Sequence, residues 1–172
     1  MELLDVMLKR RSTRKFSQKE ITKVELDKIL TSALLAPSSR NRKPCNFMVV
    51  ENKDTLIELS KSKNHGSDLL KHANKAIVVV GDSLMSDTWI EDSSIALTYM
   101  HLMAAELDIG SCWVQIHLRD KNGMDSEEIV RGILKIDSHY RIVGILALGH
   151  STNIPKPHTL DDIDKNKIHF MV

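Results

Sequence analysis

The sequence predicts a fold that combines amphipathic helices with a β-sheet. Segments whose apolar residues recur at helical spacing alternate with short runs rich in Val and Ile, such as the run at 77–80. This alternation, taken alone, favours an α/β fold with a parallel sheet. Periodicity does not fix the direction of a strand, so the arrangement of the sheet stays open at this point.

The first half of the chain carries two helices with a clear pattern. Residues 2–9 present an apolar stripe that ends where a basic cluster begins. The helix predicted over residues 22–36 starts with a capping box formed by Thr22 and Glu25, and Pro37 ends it. The other elements predicted in this half are a strand at 46–51, a short helix at 54–62 and a weaker helix at 67–73.

The second half contains the longest helix and the strongest strands. Residues 90–108 carry apolar side chains over much of the helix circumference, which predicts a central core helix. Gly110 is the residue expected to end it. Asp125 and Glu128 are expected to cap a helix that reaches Leu134. The strands predicted in this half are 75–80, 111–116 and 141–148.

Composition indicates a globular protein with an appended tail. The chain has 172 residues, of which 42% are hydrophobic and 27% charged. We expect a single domain over residues 1–172, in which residues 150–172 form an extended tail that packing must hold, as on another subunit. The formal net charge of +1 argues against a nucleic-acid partner, since such proteins carry a strong positive field.

The apolar runs, cysteines and histidines of the sequence indicate the cellular compartment and whether a metal site is expected. No apolar run is long enough to cross a bilayer, and no secretory signal is evident, so we expect a cytoplasmic protein without a membrane partner. Cys45 and Cys112 form no metal motif, and the eight histidines show no paired ligand spacing. No metal site is therefore predicted.

Residues 10–14 read Arg-Arg-Ser-Thr-Arg and form the first of two polar clusters. In an extended segment alternate side chains point the same way, so Arg10, Ser12 and Arg14 would project together and form an anion site. A solvated basic stretch past a helix end explains the same residues, because cations there complement the helix dipole. Contact with nucleic-acid phosphate is a further alternative, although no aromatic side chain interleaves for base stacking.

The second cluster spans residues 37–44, Pro-Ser-Ser-Arg-Asn-Arg-Lys-Pro, and contains two of the four prolines. Ser38 and Ser39 offer hydroxyl and backbone N–H groups at a helix end. Asn41 offers a donor and an acceptor that suit the edge of a heterocycle. A helix-terminating turn is the alternative interpretation, since Ser and Asn are common turn residues.

Together with two later segments, these clusters resemble the nitroreductase family of FMN-dependent oxidoreductases. The matching segments are 10–16 (Arg-Arg-Ser-Thr-Arg-Lys-Phe), 36–44 (Ala-Pro-Ser-Ser-Arg-Asn-Arg-Lys-Pro), 107–114 (Leu-Asp-Ile-Gly-Ser-Cys-Trp-Val) and 145–150 (Ile-Leu-Ala-Leu-Gly-His). They occur in the family's order along the chain.

The resemblance implies an α+β fold with a central, mostly antiparallel sheet flanked by helices, and an extended C-terminal tail that packs on the partner subunit. It also implies a homodimer with FMN at the interface, in which the first cluster comes from one subunit and the second from the other. The cofactor-binding residues that it implies are Arg10, Arg11, Ser12, Arg14, Ser38, Ser39, Asn41, Trp113, Val114, Gln115, Gly149, His150 and Lys156, with His158 as a rival to Lys156.

The resemblance also assigns roles. Arg10 and Ser12 suit the FMN phosphate and ribityl chain. Arg14 suits the N1–C2=O edge of the ring, where a fixed cation stabilises the reduced flavin. The backbone at Trp113 and Val114 is expected near the ring. No side chain is predicted to be catalytic, because the flavin carries hydride from NADH or NADPH to a small acceptor such as a nitroaromatic or a quinone.

Three positions depart from the family pattern. Lys43 and Cys45 stand where members usually have Gln and an aromatic residue, and Gln115 stands where they have a glycine. Gln115 could add a contact or crowd the flavin N5 edge, which keeps open a non-catalytic flavin-binding protein on the same scaffold. A specialised flavin reductase or dehalogenase is a further alternative, although the short chain leaves little room for a lid.

Two other features have competing explanations. A nucleophilic role for Cys45 lacks a recognisable base, so we expect an inert thiol. Trp89, Glu91 and Asp92 fit either the rim of a substrate pocket or a plain helix start.

Overall fold

The structure, a computed structural model, describes residues 2–153 and 155–171. Its strands are β1 (Cys45–Val50), β2 (Lys75–Asp82), β3 (Gly110–Gln115), β4 (Asp120–Lys121), β5 (Met124–Asp125) and β6 (Tyr140–Gly149). Four of them form a sheet in the order β1-β2-β6-β3, and β4 pairs with β5. All neighbouring strands of the sheet run antiparallel.

The antiparallel sheet confirms the arrangement implied by the family resemblance, and the parallel sheet favoured by alternation alone is wrong. β2 and β3 do run in the same direction, because both pair antiparallel with β6. β6 lies between them, so the helix that connects β2 to β3 does not join neighbouring strands. The pattern of elements does not reveal this insertion of a late strand between two earlier ones.

Five helices accompany the sheet: α1 (Leu3–Lys9), α2 (Lys23–Leu34), α3 (Lys53–Leu59), α4 (Trp89–Glu106) and α5 (Ser126–Leu134). The predicted capping box of α2 is present, since the Thr22 side chain accepts from the Glu25 N–H and the Glu25 carboxylate accepts from the Thr22 N–H. The weaker helix predicted at 67–73 is a 3-10 helix, Asp68–His72.

The helices form a layer on each face of the sheet. Ile77 and Val79 of β2 pack in a core with α2 and α4, whereas Val78 and Val80 pack in a second core with α3 and α5. All four side chains are fully buried. β2 is therefore covered on both faces, which explains its unbroken run of β-branched residues.

The end of α4 differs from the expectation that Gly110 would stop the helix. Asp108 takes the left-handed conformation, with φ 58°, and the Ile109 N–H donates to the Ala104 carbonyl at 2.8 Å. Gly110 is already the first residue of β3. A Cβ at Gly110 would lie 2.7 Å from Thr13, so close packing accounts for this glycine.

The tail after β6 runs back along the start of the chain. Ser151 forms a bridge with Phe16, and the His158 N–H donates to the Leu8 carbonyl at 2.9 Å. Towards the end of the tail, Phe170 and Met171 are 85% and 94% exposed. Among the described helices, none is long and apolar enough to cross a membrane.

Candidate functional site

Residues 10–14 run along the outer edge of β3, an edge strand of the sheet. Ser12 forms a parallel bridge with Ser111, and the Thr13 N–H donates to the Ser111 carbonyl at 2.9 Å. The Thr13 side chain is buried. The segment is therefore extended at Ser12 and Thr13, as the alternation argument required, and alternation directs the Ser12 side chain to the side opposite to Thr13.

Beyond this bridge, the outer edge of β3 presents backbone hydrogen-bonding groups. The carbonyls of Ser111 and Gln115 point away from β6, since the first accepts from Thr13 and the second from Lys63 Nζ at 2.9 Å. Alternate residues of a strand direct their backbone groups to the same side, so Trp113 also directs its N–H and C=O outward. This edge can both donate to and accept from the rim of a polar ring.

Several cations act on the same region. Burial raises the pKa of the Cys112 thiol, while the charges of Arg14, Lys63 and Arg10 and a hydrogen bond with Ser12 act in the opposite direction. These side chains therefore share one neighbourhood beside β3. The structure thus brings together the three alternate residues of the first cluster and adds Lys63.

Lys63 was missed by sequence reasoning. It stands in a polar stretch, Lys-Ser-Lys-Asn, between a helix and a turn, and nothing in that stretch distinguishes it from the exposed Lys61. Its hydrogen-bond partner, Gln115, is 52 residues away in sequence.

A cleft of about 460 Å³ lies between the first cluster, the end of α4 and the residues after β6. Its basic lining residues are Lys9, Arg10, Arg11, Lys19 and His150. Lys9 is paired with Asp108 at 2.7 Å, while the buried His150 Nε2 has no hydrogen-bond partner among the described residues. The excess of positive groups makes this cleft suitable for an anion.

His101 of α4 supports this region from within the core. Its Nδ1 lies 2.8 Å from Ser111 Oγ, and the side chain is buried. Burial, reinforced by the charge of Arg10, lowers the pKa of His101 to about 4. The ring is therefore neutral at pH 7 and holds the residue that bridges to Ser12.

The side chains of the β3 residues lie mainly inside the fold. Val114 is buried. The Gln115 amide is held at both ends, since it accepts from Trp113 Nε1 at 2.9 Å and donates to the His117 carbonyl at 3.1 Å. Trp113 and Gln115 thus offer their backbone groups to a ligand, while the Gln115 side chain is occupied along the strand.

Gly149 serves packing in this structure. A Cβ at Gly149 would lie 2.7 Å from the Phe16 ring. The absence of a side chain lets Phe16 cover the end of β6.

The predicted tail residues do reach the first cluster. The Arg11 guanidinium donates to the Lys156 carbonyl. The His158 ring lies 3.8 Å from the Asp162 carboxylate, so this rival to Lys156 already faces an acid. The contact of Lys156 with the first cluster is through its backbone carbonyl, so the choice between Lys156 and His158 stays a prediction.

The second cluster forms a tight loop around a 3-10 helix, Ser39–Asn41. Arg40, Asn41 and Lys43 have φ of 51°, 54° and 52°, which non-glycine residues adopt only when their surroundings hold them there. The Ser38 hydroxyl is used inside the loop, where it accepts from the Lys43 N–H at 2.8 Å. The loop is therefore fixed, as the two prolines had indicated.

Asp92, in the first turn of α4, anchors this loop. Its Oδ1 accepts from the Ser39 N–H at 2.9 Å, and its Oδ2 accepts from the hydroxyls of Thr88 and Ser86 at 3.2 and 3.3 Å. The Asp92 side chain is buried. The sequence left two explanations for Asp92, the rim of a substrate pocket or a plain helix start. Asp92 does lie in the first turn of α4, and it also holds the loop of the second cluster through the Ser39 N–H.

Cys45 follows the loop as the first residue of β1. Its Sγ lies 3.5 Å from Ser93 Oγ, and burial raises the pKa of the thiol. A protonated, half-buried thiol is a poor nucleophile, which agrees with the expectation that Cys45 is inert.

The two clusters lie at opposite ends of α4 within one protomer. The second cluster is held by Asp92 in the first turn, whereas the cleft beside the first cluster is lined by Ala105 near the last turn. At 1.5 Å per residue, these positions are about 20 Å apart along the helix axis. In a single protomer the cleft lined by Arg10 and Arg11 is therefore separate from the pocket lined by Ser38 and Lys43.

A buried charge cluster, also missed from the sequence, ties α5 to the sheet beyond β3. The Glu127 side chain is 2% exposed. Its carboxylate accepts from the Arg141 guanidinium at 2.8 and 2.9 Å and from the Ile142 N–H at 3.0 Å. It also lies 2.5 Å from His117 Nδ1. Burial opposes ionisation of Glu127, but these hydrogen bonds together lower its pKa. Arg141 also lies 5.1 Å from the centre of the Trp89 ring. The cluster thus contacts Trp89, the first residue of α4.

Comparison with known proteins agrees with this geometry. The model of the nitroreductase family matches residues 7–77 and 57–150. A protein of Archaeoglobus fulgidus, named "Putative NADH dehydrogenase/NAD(P)H nitroreductase", is 31% identical over 173 residues, covering 98% of this chain and 97% of that protein.

Solved structures show the same fold over nearly the whole chain. An FMN-dependent nitroreductase from Clostridium difficile R20291 superposes with a TM-score of 0.94 at 42% identity, covering 97% of this chain and 98% of that chain. A "Putative NADH dehydrogenase/NAD(P)H nitroreductase" from Parabacteroides distasonis superposes with a TM-score of 0.89 at 28% identity, covering 98% and 96%.

Proposed function

Since the chain belongs to the nitroreductase family and is an oxidoreductase, we propose that it binds FMN and passes hydride from NADH or NADPH to a small acceptor. The observation that carries this proposal is the outer edge of β3. There, outward backbone groups of Trp113 and Gln115 lie in the neighbourhood of Arg14 and Lys63.

The chemistry of these groups fits the two ends of FMN. A phosphate requires several cationic donors, which the cleft beside Arg10 and Arg11 supplies together with the unpaired His150 Nε2. The ring requires donors and acceptors along a flat edge, which the extended backbone of β3 supplies. Ser12, bridged to Ser111 between these two regions, suits the polar chain that joins them.

When bound, FMN supplies the hydride chemistry, and the protein supplies position and charge. The role proposed for Arg14 is to stabilise negative charge on the reduced ring. His101 stays neutral and holds Ser111, so the strand edge keeps its geometry while that charge changes. No side-chain acid or base is needed for such a reaction, which accords with the inert Cys45.

We further propose that the complete site needs two copies of the chain. Asp92, which holds the second cluster, lies about 20 Å along α4 from Ala105 of the cleft beside the first cluster, so we propose that Ser38, Ser39 and Asn41 reach the cofactor of the other protomer. An exposed apolar face on the helices supports this pairing. Its residues are Leu3, Leu4 and Met7 of α1, Val24 and Leu34 of α2 with the adjacent Leu35, and Tyr99 of α4.

The acceptor that we propose is a nitroaromatic or a quinone. Both take up electrons without needing a side-chain nucleophile, and the described residues between β2 and α4 form a short turn, with Leu84 82% exposed at its tip. A short, exposed turn of this kind leaves room for a flat acceptor that stacks on the ring.

The test is spectroscopic. Purified protein, reconstituted with FMN and freed of excess cofactor, should be yellow, and it should bleach when NADH or NADPH is added without oxygen. Adding a quinone or a nitroaromatic compound should restore the colour. Protein that stays colourless after reconstitution contradicts the proposal.

The same test can also favour the alternative of a non-catalytic flavin-binding protein, which Gln115 keeps open. Yellow protein that neither nicotinamide reduces, but that dithionite does, would identify a flavin-binding protein without this activity.

A further inference from the structure

We propose that Lys63 is a positioning cation that stabilises the reduced state of the bound flavin from the outer edge of β3. The inference rests on the proposed function and assigns a role to a residue outside the family motifs of this sequence. It follows from the placement of Lys63 and from what holds it there.

The Lys63 ammonium group is fixed on the strand edge itself. Its Nζ donates to the Gln115 carbonyl at 2.9 Å, one of the groups that point away from β6. This hydrogen bond holds the charge beside the backbone that is proposed to meet the ring. Since the partner is a neutral carbonyl, the bond positions the charge without cancelling it.

The surroundings of Lys63 leave its charge poorly compensated. Burial lowers the pKa of Lys63, and the nearby charge of Arg119 lowers it further. Such a shift shows that the ammonium group is held at an energetic cost. A negative charge placed next to it would relieve that cost, and reduction of a flavin creates such a charge.

The stretch that carries Lys63 is well held. Its carbonyl accepts from Lys121 Nζ at 3.2 Å. The next residue, Asn64, donates from its side chain to the Asp120 carboxylate at 3.1 Å, and its backbone N–H donates to the Asp120 carbonyl at 3.2 Å. The cation is therefore preorganised and does not have to be recruited from solvent.

Lys63 and Arg14 lie in the same neighbourhood beside β3. A hollow beside the first cluster is lined by Arg14, Gly66 and His72. Asp68 lines it as well. A Cβ placed on Gly66 would lie 3.7 Å from Lys63 Nζ, so the ammonium group lies next to one of the residues that line this hollow. Both cations also act on the Cys112 thiol. A ring that lies along β3 would thus have a fixed positive charge from each of two separate parts of the chain.

The decisive measurement is the midpoint potential of the bound FMN, together with the dissociation constants of oxidised and reduced FMN. In Lys63→Gln the amide can still donate to the Gln115 carbonyl, but the charge is gone. We expect oxidised FMN to bind almost as in the wild type and reduced FMN to bind about tenfold more weakly. That ratio corresponds to a midpoint potential lower by about 30 mV for a two-electron couple.

Two further variants make the result specific. Lys63→Arg keeps a cation and should restore most of the potential. Lys61→Gln removes an exposed charge two residues away, paired with Glu58 at 2.7 Å, and should leave the potential unchanged.

The failures are distinguishable. If the potentials of Lys63→Gln and Lys61→Gln are equal, the role of Lys63 is overturned while the proposed function stands. If wild-type protein binds no FMN, both are overturned. Loss of oxidised and reduced FMN in equal measure from Lys63→Gln would show a general binding role and also contradict the proposal.

Discussion

His101 and Ser111 illustrate how single residues prepare the first cluster. Ser111 meets Ser12 and Thr13 through its backbone, while its hydroxyl is held by the buried ring of His101. The ring must stay neutral to remain there, because a second charge beside Arg10 would be buried without a counter-ion. Stability and site geometry are therefore linked through one titratable group.

This linkage predicts an acid-sensitive contribution to stability. The pKa of His101 falls from its ordinary 6.5 to about 4 on folding. Between pH 6.5 and 4, His101 therefore binds a proton in the unfolded chain but not in the folded protein. The free energy of unfolding accordingly falls as the pH drops from 6.5 to 4. The full loss from this residue is about 3 kcal/mol. Urea unfolding at pH 7, 5.5 and 4 measures it.

The matched variant is His101→Asn, whose amide can still bond with the Ser111 hydroxyl but does not titrate. Carboxylates such as Glu127 contribute equally to both proteins, so the difference between the two unfolding curves reports His101 alone. That difference should shrink as the pH falls from 7 to 4. A difference that stays constant over this range would refute the assignment of the shift to His101.

At the scale of elements, an edge strand and the first turn of a helix each carry one half of the candidate site. β3 leaves one side unpaired beyond residue 111, and that side receives the first cluster. The first turn of α4 presents Asp92, whose carboxylate holds the Ser39 N–H and so the left-handed loop behind it. The loop is stable only as long as that buried acceptor is present.

Removing the acceptor should therefore loosen the second cluster before it unfolds the protein. In Asp92→Ala the Ser39 N–H loses a hydrogen bond to a charged group, typically worth about 1.5–3 kcal/mol. We expect trypsin to cut after Arg40 and Arg42 roughly tenfold to a hundredfold faster, measured by mass spectrometry under native conditions. Asp92→Asn should fall between Asp92→Ala and wild type.

Glu91→Gln is the control, because Glu91 is an exposed neighbour in the same helical turn. Its cleavage rate should match the wild type. Equal rates for Asp92→Ala and Glu91→Gln would mean that the loop does not depend on the anchor.

The sequence predicted those features of the fold that depend on residues close together in the chain. The capping box of Thr22 and Glu25 depends on residues three apart. The extended conformation at 10–14 was only assumed from the sequence, and a bridge to the distant Ser111 provides it. Contacts that depend on tertiary structure were not predictable. Ser39 meets Asp92 across 53 residues, so the burial that makes this aspartate an anchor has no local signal.

The same limit applied to the sheet. The four strands of the larger sheet were predicted near their places from their apolar runs, whereas the short β4 and β5 were not predicted. The insertion of β6 between β2 and β3 is a property of the whole chain. Direction followed from the resemblance to a family and not from periodicity.

At the scale of the whole molecule, the separation of the two clusters is the central fact. The second cluster is held by Asp92 in the first turn of α4, whereas the cleft beside the first cluster lies near the last turn. The apolar face of α1 and α2 and the exposed end of the tail, with Phe170 and Met171, are surfaces that a second copy would cover. A site shared between copies, as we propose, would explain why the two clusters lie apart in a single protomer.

Mixed dimers can test this sharing directly. One variant, Arg10→Ala with Arg14→Ala, disables the first cluster. The other, Asn41→Gly, removes the amide of the second cluster while tolerating the φ of 54° at that position. Each variant alone should bind FMN weakly at both of its sites. A heterodimer, purified through two different affinity tags, would contain one site with both defects and one site with none. It should therefore bind one FMN per dimer with wild-type affinity.

If each site lay within a single chain, every site in the heterodimer would carry a defect, and no tight binding would be recovered. Titration of FMN fluorescence on the two homodimers and the heterodimer separates these outcomes, because only a shared site makes the mixture better than either parent.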